Sequence, residues 1–314
     1  GDKCTATETI TNINLLNTNN VTNMSSMFAS TGSNAMTSLD LGDKFDTSNV
    51  TDMSYMFAST GYKTMTGLDL GENFDTSNVT NMSYMFSGAG YTAMASLELG
   101  DKFDTSNVTN MAYMFFTTGA TSMTSLKLGE NFDTSNVTNM EYMFARAGET
   151  VMTILDLGNK FDTSNVTNMD SMFYSTGEKS MTSLDLGDKF DTGKVRNMAC
   201  MFALTGTKMT SLDLGDKFDT SYVTEMDSMF FETGKNSMTN LDFGPAFTKI
   251  TNDIFENAGK SGSLVVQVSE SIYQDSTHLK RSTNLTTIKL TTGTINPKYR
   301  TEWIKEGTTI DKTD

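Results

Sequence analysis

Histidine, tryptophan, cysteine and proline are scarce in this chain of 314 residues, which has one histidine, one tryptophan, two cysteines and two prolines. The single histidine, His278, leaves no second member for a Ser/His/Asp relay or a histidine metal site. Neither a glycine-rich phosphate loop nor the spacing of zinc ligands occurs in the sequence. The sequence therefore predicts a protein that is not an enzyme and has no cofactor.

Positive charge and long apolar runs are also lacking. Lysine and arginine number 23 against 38 aspartates and glutamates, and the net charge of −15 argues against a nucleic-acid partner. No apolar run approaches the roughly 18 residues needed to cross a bilayer, so we expect no membrane insertion. The first residues lack the regions of a signal peptide, which predicts either a cytosolic protein or a trimmed mature segment.

What the chain has instead is repetition. The segment from Met65 to Phe86, MTGLDLGENFDTSNVTNMSYMF, returns at an interval of 29 residues that is broken once by a step of 28. Its phenylalanine recurs as Phe45, Phe74, Phe103, Phe132, Phe161, Phe190, Phe218 and Phe247. Repetition at this period predicts one elongated solenoid domain.

Each repeat carries two hydrophobic patterns. Leu68-Asp69-Leu70 alternates apolar and polar residues, which is typical of a short strand. Val79, Met82, Met85 and Phe86 have the spacing of one helical face. The patterns predict an α/β repeat solenoid, a leucine-rich-repeat-like, right-handed stack of about eleven short parallel strands with short helices on the opposite face.

Turn residues separate the two elements in every repeat. Asp75-Thr76-Ser77-Asn78 precedes the helical pattern, where one of the four is expected to cap the helix. Gly90 follows that pattern, and we expect it to adopt the left-handed conformation of a chain that leaves a helix. Gly71 follows the strand and predicts the turn out of the sheet.

The ends of the chain depart from the repeat. We predict an N-terminal capping unit over residues 1–35, whose residues 10–15 form the first strand, and tandem repeats over 36–247. Residues 248–292 are read as degenerate repeats and a C-terminal cap, with strands at 263–268 and 285–290 and a capping helix over 269–281. Residues 293–314, with a short helix near Pro297, are read as a tail or a linker to a further domain.

Methionine is frequent, with 24 residues, and most of them fall in the columns of Met82, Met85 and Met94. We interpret these columns as core filling by a flexible side chain, the alternative being a methionine-rich binding groove. The cysteines Cys4 and Cys200 lie about six repeats apart, so we expect no disulfide between them.

The repeated phrase Phe-Asp-Thr-Ser-Asn-Val-Thr-Asn-Met-Ser-Tyr-Met-Phe, followed by Met-Thr-Ser-Leu-Asp-Leu, resembles the BspA-type leucine-rich repeat surface proteins of bacteria. The resemblance covers roughly residues 20 to 260, although the repeat here is longer than the commoner form of that family. It implies a secreted protein of the bacterial cell surface that attaches to host or neighbouring cells, with no catalytic residues.

Acidic residues form three columns along the repeats. The first contains Asp69 and its equivalents on the outer side of the strands and is interrupted by Lys127, the second contains Glu72, and the third contains Asp75. Stacked carboxylates can hold calcium between repeats. The alternatives are a solvated acidic face and, for the third column, turn hydrogen bonds.

Tyrosines form the other candidate surface. On the helical wheel of Val50, Met53, Met56 and Phe57, Tyr55 points away from the core, and the position recurs as Tyr84, Tyr113 and Tyr142. Each ring offers a large rigid face and a hydroxyl to a protein or glycan, and the alternative is that the tyrosines only pack against one another. Departures from the repeat, such as Lys127, Arg146, Ile154 and Tyr222, are the other candidates for specificity.

These observations favour a monomeric, non-catalytic adhesion module that recognises a host or bacterial surface protein or glycan through Tyr55, Tyr84, Tyr113, Tyr142 and Lys127. The competing hypothesis is a structural spacer, stiffened by calcium, that holds another domain away from the cell.

Overall fold

The chain winds into a parallel β-solenoid of about eight turns in the computed structural model, which describes residues 10, 13–71, 73–100, 102–250, 254–259, 264–268, 285–290 and 309–312. Each turn of the solenoid, here called a coil, is one sequence repeat. Equivalent residues of successive coils lie side by side, as in the pairing of Leu39 with Leu68. The predicted repeat solenoid is therefore confirmed.

One wall of the solenoid, here called the strand face, is made of short parallel strands. The strands are β1 (Ser38–Asp40), β2 (Gly67–Asp69), β3 (Ser96–Glu98), β4 (Ser125–Lys127), β5 (Ile154–Leu155), β6 (Ser183–Leu184), β7 (Ser211–Asp213), β8 (Asn240–Asp242), β9 (Leu264–Val268), β10 (Leu285–Leu290) and β11 (Thr309–Lys312). The central leucine of a three-residue strand points inward and its neighbours point to solvent, as the exposed–buried–exposed pattern of β1 and β3 shows. The period-2 prediction is correct here because only one side of the strand face is covered.

The strands do not form the single ladder that the sequence predicted. They are hydrogen-bonded as three pairs, β1 with β2, β3 with β4 and β5 with β6, and as one sheet that runs in the order β7, β8, β9, β10, β11. Successive groups still lie next to each other in the stack. A strand of two or three residues offers few backbone bonds, so continuity along the solenoid depends on the rest of the coil.

The predicted helices are absent from the described residues of the coils. The segment from Met82 to Ala89 and its equivalents, here called the turn wall, is a run of consecutive β-turns. Met85 N–H donates to the Met82 carbonyl at 3.2 Å, three residues back, whereas an α-helix would bond four residues back. Every second N–H leaves the coil instead, and Tyr84 N–H donates to the Ala112 carbonyl of the next coil at 2.9 Å.

Left-handed residues make this pattern possible. Two residues of each turn wall have positive φ, such as Tyr55 at 59° and Ser59 at 55° in one coil. A non-glycine residue pays about 1–2 kcal/mol for that conformation. The cost is offset by backbone hydrogen bonds to the neighbouring coil, each of which contributes on the order of 1 kcal/mol.

The predicted turn glycines are confirmed. Gly61, Gly90, Gly119, Gly148 and Gly177 have φ between 49° and 52°, and Gly71 after the strand has φ 77°. The segment expected to cap a helix forms a turn instead, because Asp75 Oδ1 accepts a hydrogen bond from Ser77 N–H at 2.9 Å.

The core consists of stacked phenylalanines and methionines. One ladder of phenylalanine rings has neighbouring centroids 5.5 to 5.8 Å apart and contains Phe28, Phe57, Phe86, Phe115, Phe144, Phe173, Phe202, Phe230 and Phe255. All methionines except Met27 are buried. The interpretation of methionine as core filling is therefore confirmed.

Buried threonines join the coils through their hydroxyls. Thr76 Oγ1 donates to the Asp104 carbonyl of the next coil at 2.8 Å, and Thr118 Oγ1 donates to the Phe86 carbonyl of the previous coil at 2.8 Å. Asparagine side chains act similarly on the surface, where Asn78 Nδ2 donates to the Ser48 carbonyl at 2.7 Å. These bonds explain why threonine and asparagine recur at fixed places in the repeat.

The ends differ from the sequence prediction in two places. Ile13–Leu15 is a 3-10 helix, so the first strand predicted over residues 10–15 is wrong. Thr309–Lys312, in the predicted tail, is a strand that pairs with β10. The strands predicted at 263–268 and 285–290 are confirmed as β9 and β10. The helices predicted over 269–281 and near Pro297 lie outside the described residues, and the predicted domain boundaries stay predictions.

Replacing Gly119 with alanine tests the left-handed turn. The new Cβ would lie 2.5 Å from Met123 Cβ and 2.9 Å from the Met94 carbonyl oxygen, at a φ of 50°. We expect a loss of roughly 2–4 kcal/mol in the free energy of unfolding, from backbone strain and overpacking. Urea unfolding measures the difference. Gly67→Ala is the matched control, because its Cβ would meet nothing within 4 Å, and equal midpoints for the two variants would contradict this account.

Candidate functional site

The tyrosine row, Tyr55, Tyr84, Tyr113 and Tyr142, emerges from equivalent positions of four successive turn walls. Each tyrosine has a left-handed backbone with φ between 52° and 59°. In coils without the tyrosine the same position is Ser26, Ser171, Cys200 or Ser228, each also with positive φ. The row points away from the core as expected, but the direction comes from the turn geometry and not from a helical wheel.

The rings of the row stack face to face. Ring centroids are 4.4 Å apart for Tyr55 and Tyr84, 4.4 Å for Tyr84 and Tyr113, and 4.7 Å for Tyr113 and Tyr142, with interplanar angles of 5° to 6°. The tyrosines therefore do pack against one another, as the alternative predicted, and the ring faces between neighbours are covered. A role of the row in binding stays a prediction. The row presents ring edges and hydroxyls to solvent, and Tyr55 is the most open member at 42% exposed.

A carboxylate lies against the hydroxyls of the row. Tyr113 Oη donates to Glu141 Oε1 at 3.1 Å, and Glu141 Oε2 accepts from Asn168 Nδ2 at 3.3 Å. Burial and then the negative charge of Glu141 raise the pKa of Tyr113 well above its usual range. Burial, followed by Tyr55 and Glu141, also raises the pKa of Tyr84.

Two residues of this site were not singled out from the sequence. Glu141 stands where the preceding coils have Ser25, Ser54, Ser83 and Ala112, and Phe116 stands where they have Ala29, Ala58 and Ser87. The Phe116 ring meets Tyr113 and Tyr142 edge-on, with centroids 5.6 and 6.1 Å away. Both could have been noticed in the sequence, because each differs in residue type from the equivalent residues of the preceding coils.

Lys127 lies on the strand face, remote in the coil from the turn wall that carries the tyrosines. It is the outward residue at the end of β4, and its Nζ lies 2.5 Å from Glu98 Oε1 in the preceding coil. Both side chains are more than 60% exposed, so the ion pair contributes little to stability. Lys127 therefore interrupts the acidic column without a structural requirement for it.

A shallow cavity of about 1010 Å³ lies on the strand face beside Lys127. It spans three coils, and its lining includes Lys127, Ile154, Asp156, Lys160 and Asp185. Ile154 is 58% exposed, where the equivalent positions are Ser125 and Ser183. The sequence marked Lys127 and Ile154 as separate departures from the repeat, and only the structure brings them to one cavity.

The carboxylates of the first and third acidic columns accept hydrogen bonds in turns. In the first column, Asp69 Oδ1 accepts from Gly71 N–H at 2.9 Å, and Asp40, Asp156, Asp185 and Asp213 bind their glycines in the same way. In the third column, bonds from Ser48 lower the pKa of Asp46. Within the part of the chain that the structure describes, no group of three or more acidic, histidine or cysteine side chains is arranged to hold a metal ion.

Among the residues with a described conformation, none belongs to a helix with the length and apolar character needed to span a bilayer.

A family model whose description reads Mycoplasma protein of unknown function, DUF285, matches the chain over residues 3–118, 60–180 and 149–263. The three overlapping matches extend from residue 3 to residue 263, which is most of the chain. Neither the search of curated proteins nor that of solved structures gave a match. These findings support a repeat family, and the BspA-type resemblance stays a prediction.

The raised pKa of Tyr113 predicts a loss of stability in alkali. The unfolded chain releases the Tyr113 proton near pH ~10, whereas the folded chain keeps it to higher pH. Above that pH the unfolded state binds fewer protons than the folded state, so the free energy of unfolding falls as pH rises. Urea unfolding from about pH 8 to about pH 11 should show a smaller fall for Tyr113→Phe than for the wild type.

Glu141→Gln is the companion variant, because it removes the second cause of the shift while keeping the side-chain shape. It should also reduce the alkaline loss of stability. Identical pH dependence of the wild type and both variants would contradict the assignment.

Proposed function

The chain belongs to the family described as Mycoplasma protein of unknown function, DUF285, and we propose from its geometry that it is a non-catalytic binding module. In this proposal it is an adhesin of the bacterial cell surface that recognises a protein or glycan of a host or neighbouring cell.

The observation that carries the proposal is the meeting of Lys127 and Ile154 at one cavity of the strand face. Most residues of a coil recur because they pack the core or bond the neighbouring coil. The exposed Ile154 and Lys127 serve neither purpose, because the equivalent residues of other coils are mostly serine for Ile154 and aspartate or glutamate for Lys127. Exposed apolar side chains next to charged ones are typical of contact surfaces.

The cavity suggests the chemistry of the contact. Ile154 offers an apolar surface, and the charged residues of the lining are of both signs: Lys127, Lys160, Lys189, Glu130, Asp156, Asp185 and Asp188. A partner that places an apolar group against Ile154 and an acidic group against Lys127 would be complementary to this place, because the equivalent positions of other coils carry small and acidic residues. A protein surface with apolar and charged side chains fits this description better than a neutral glycan.

The tyrosine row supports a second contact area on the turn wall. Its stacked rings leave hydroxyls and ring edges for hydrogen bonds and edge contacts, and Tyr55 at the first end of the row is the most accessible ring. Rigid tyrosines lose little conformational entropy on binding. A macromolecule lying along several coils would contact these groups at a regular spacing.

The remaining features of the proposal follow the resemblance to BspA-type proteins. They are secretion, a place on the bacterial surface and a leucine-rich-type classification. Right-handed winding is proposed from the general rule for parallel crossovers, and a monomeric state is part of the same proposal. None of them requires a nucleic acid or an inserted membrane segment.

A binding screen against matrix proteins, bacterial surface proteins and glycans tests the proposal. The double variant Lys127→Asp and Ile154→Ser restores the residues of the repeat, and we expect it to lose roughly tenfold or more in affinity, as contact residues at an interface centre do. The matched control is Asp213→Lys with Ser211→Ile, which makes the opposite changes on the same face in a different coil. A folded cavity variant that binds as tightly as the wild type would remove the cavity from the proposal.

Changing Tyr55, Tyr84, Tyr113 and Tyr142 to serine, the residue already present at positions 26 and 171, tests the second area in the same screen. Unchanged binding in this folded variant would show that the tyrosine row does not contact the ligand. No ligand in a broad screen would favour the alternative function, a spacer.

The spacer is supported by the continuous hydrogen bonding between coils, which makes the solenoid stiff along its length. Stiffening by calcium would have to use carboxylate oxygens other than those already bonded in turns. A ligand that binds only the folded state raises the melting temperature, so melting curves in calcium and in chelator test this version. Coincident curves would leave a spacer without calcium.

A further inference from the structure

The tyrosine row combines three features that together suit a reaction between its rings. The rings lie parallel at 4.4 to 4.7 Å, one hydroxyl donates to a carboxylate, and the row lies at the surface. We propose that Tyr84 and Tyr113 are a site of oxidative coupling, at which a peroxide-driven one-electron oxidant joins neighbouring coils through a carbon–carbon bond between the two rings.

Glu141 supplies the proton acceptor. A phenol that loses an electron becomes a strong acid and must release its hydroxyl proton to form a neutral radical. The Tyr113 hydroxyl already donates to Glu141 Oε1 at 3.1 Å, so the proton moves along an existing hydrogen bond. Asn168 holds the other oxygen of the same carboxylate, which keeps Glu141 in place.

The stacking favours Tyr84 as the coupling partner of Tyr113. Their centroids lie 4.4 Å apart, whereas Tyr142 is at 4.7 Å and has the edge of Phe116 against it. The left-handed backbone of both residues is fixed by hydrogen bonds to the next coil, so the two rings are held together without further ordering.

The reaction balances with peroxide as the oxidant. Tyr84 and Tyr113 each give one electron to the oxidant and one hydroxyl proton, from Tyr113 to Glu141 and from Tyr84 to solvent. The two radicals combine through the ring carbons next to the hydroxyl-bearing carbons. Each of these carbons then loses its hydrogen as a proton, and each phenol oxygen regains a proton. The net loss is two hydrogen atoms, and hydrogen peroxide is reduced to two water molecules.

The chain contains a matched comparison. Tyr62 and Tyr91 also stack between neighbouring coils, with centroids 4.7 Å apart and an interplanar angle of 10°. Within the described residues, neither of these two hydroxyls donates to a carboxylate. Stacking without a proton acceptor can therefore be compared with stacking beside one.

The experiment treats the full chain with hydrogen peroxide and a haem peroxidase at neutral pH. Dityrosine fluorescence gives the rate. Mass spectrometry of linked tryptic peptides, with fragmentation, gives the position, since Lys102 separates Tyr84 from Tyr113 and fragment ions distinguish Tyr84 from Tyr91, which lies in the same tryptic peptide. We expect the Tyr84–Tyr113 link within single chains to be the main product. Glu141→Gln should slow its formation several-fold, and Tyr113→Phe, which keeps the ring, should abolish it.

Circular dichroism is used to check that both variants keep the wild-type fold. If Glu141→Gln alters the coil, Tyr113→Phe provides the second test. Equal rates for the wild type and folded Glu141→Gln would overturn the proposal. Links that form mainly between chains, or as readily at Tyr62 and Tyr91, would also overturn it. None of these outcomes depends on whether the chain is an adhesin or a spacer.

Discussion

The backbone hydrogen bonds that pass from one coil to the next in the turn wall are the constraint on which the rest of the structure depends. Every second N–H of that wall donates to a carbonyl about 28 residues later in the chain, as Tyr55 N–H does to the Ser83 carbonyl. Because the strands of the opposite face are short and only partly joined, this wall carries the register from coil to coil. A repeat length of 28 or 29 residues follows, since equivalent residues must arrive side by side.

Because the register is strict, each residue lies against the equivalent residue of the next coil, which is mostly of the same type. For phenylalanine and threonine this is favourable, because rings stack and each hydroxyl finds a carbonyl of the adjacent coil. For aspartate it brings like charges into columns, a cost kept modest by solvent exposure and by hydrogen bonds from nearby backbone N–H groups. The repeated residues are therefore explained by the fold, and functional chemistry is best sought where a column changes its residue type.

Two pairs of such changes lie on different walls of the solenoid. Lys127 and Ile154 alter the strand face beside one cavity, and Glu141 and Phe116 surround the tyrosine row on the turn wall. The first pair joins a cation to an apolar side chain in a cavity that also holds carboxylates, which suits recognition of a protein surface with apolar and charged groups. The second joins a carboxylate to stacked phenols, which suits proton and electron transfer. A solenoid can hold both because its walls vary independently once the coil bonds are kept.

Four features could be predicted from the sequence: the repeat period, the inward side of each strand, the core of methionine and phenylalanine, and the glycines with left-handed φ. These properties repeat in every unit and depend on local pattern, so one repeat read carefully predicts them all. The recurring tyrosines and the exception at Lys127 could also be recognised by aligning the repeats with one another. The contacts of Glu141 with Tyr113 and of Phe116 with Tyr142 could not be predicted, because only the stacking of coils brings these residues together.

The choice between a helix and consecutive turns could not be predicted from the sequence, because it depends on hydrogen bonds between coils. Apolar residues at the spacing of Val79, Met82, Met85 and Phe86 face inward in either conformation, so the periodicity could not separate them. The two conformations differ in the acceptors of the backbone N–H groups. Here every second N–H donates to a carbonyl of the next coil, whereas in an α-helix it would donate to the carbonyl four residues back. That choice also turned the tyrosine faces toward one another, because it places each ring directly above the last.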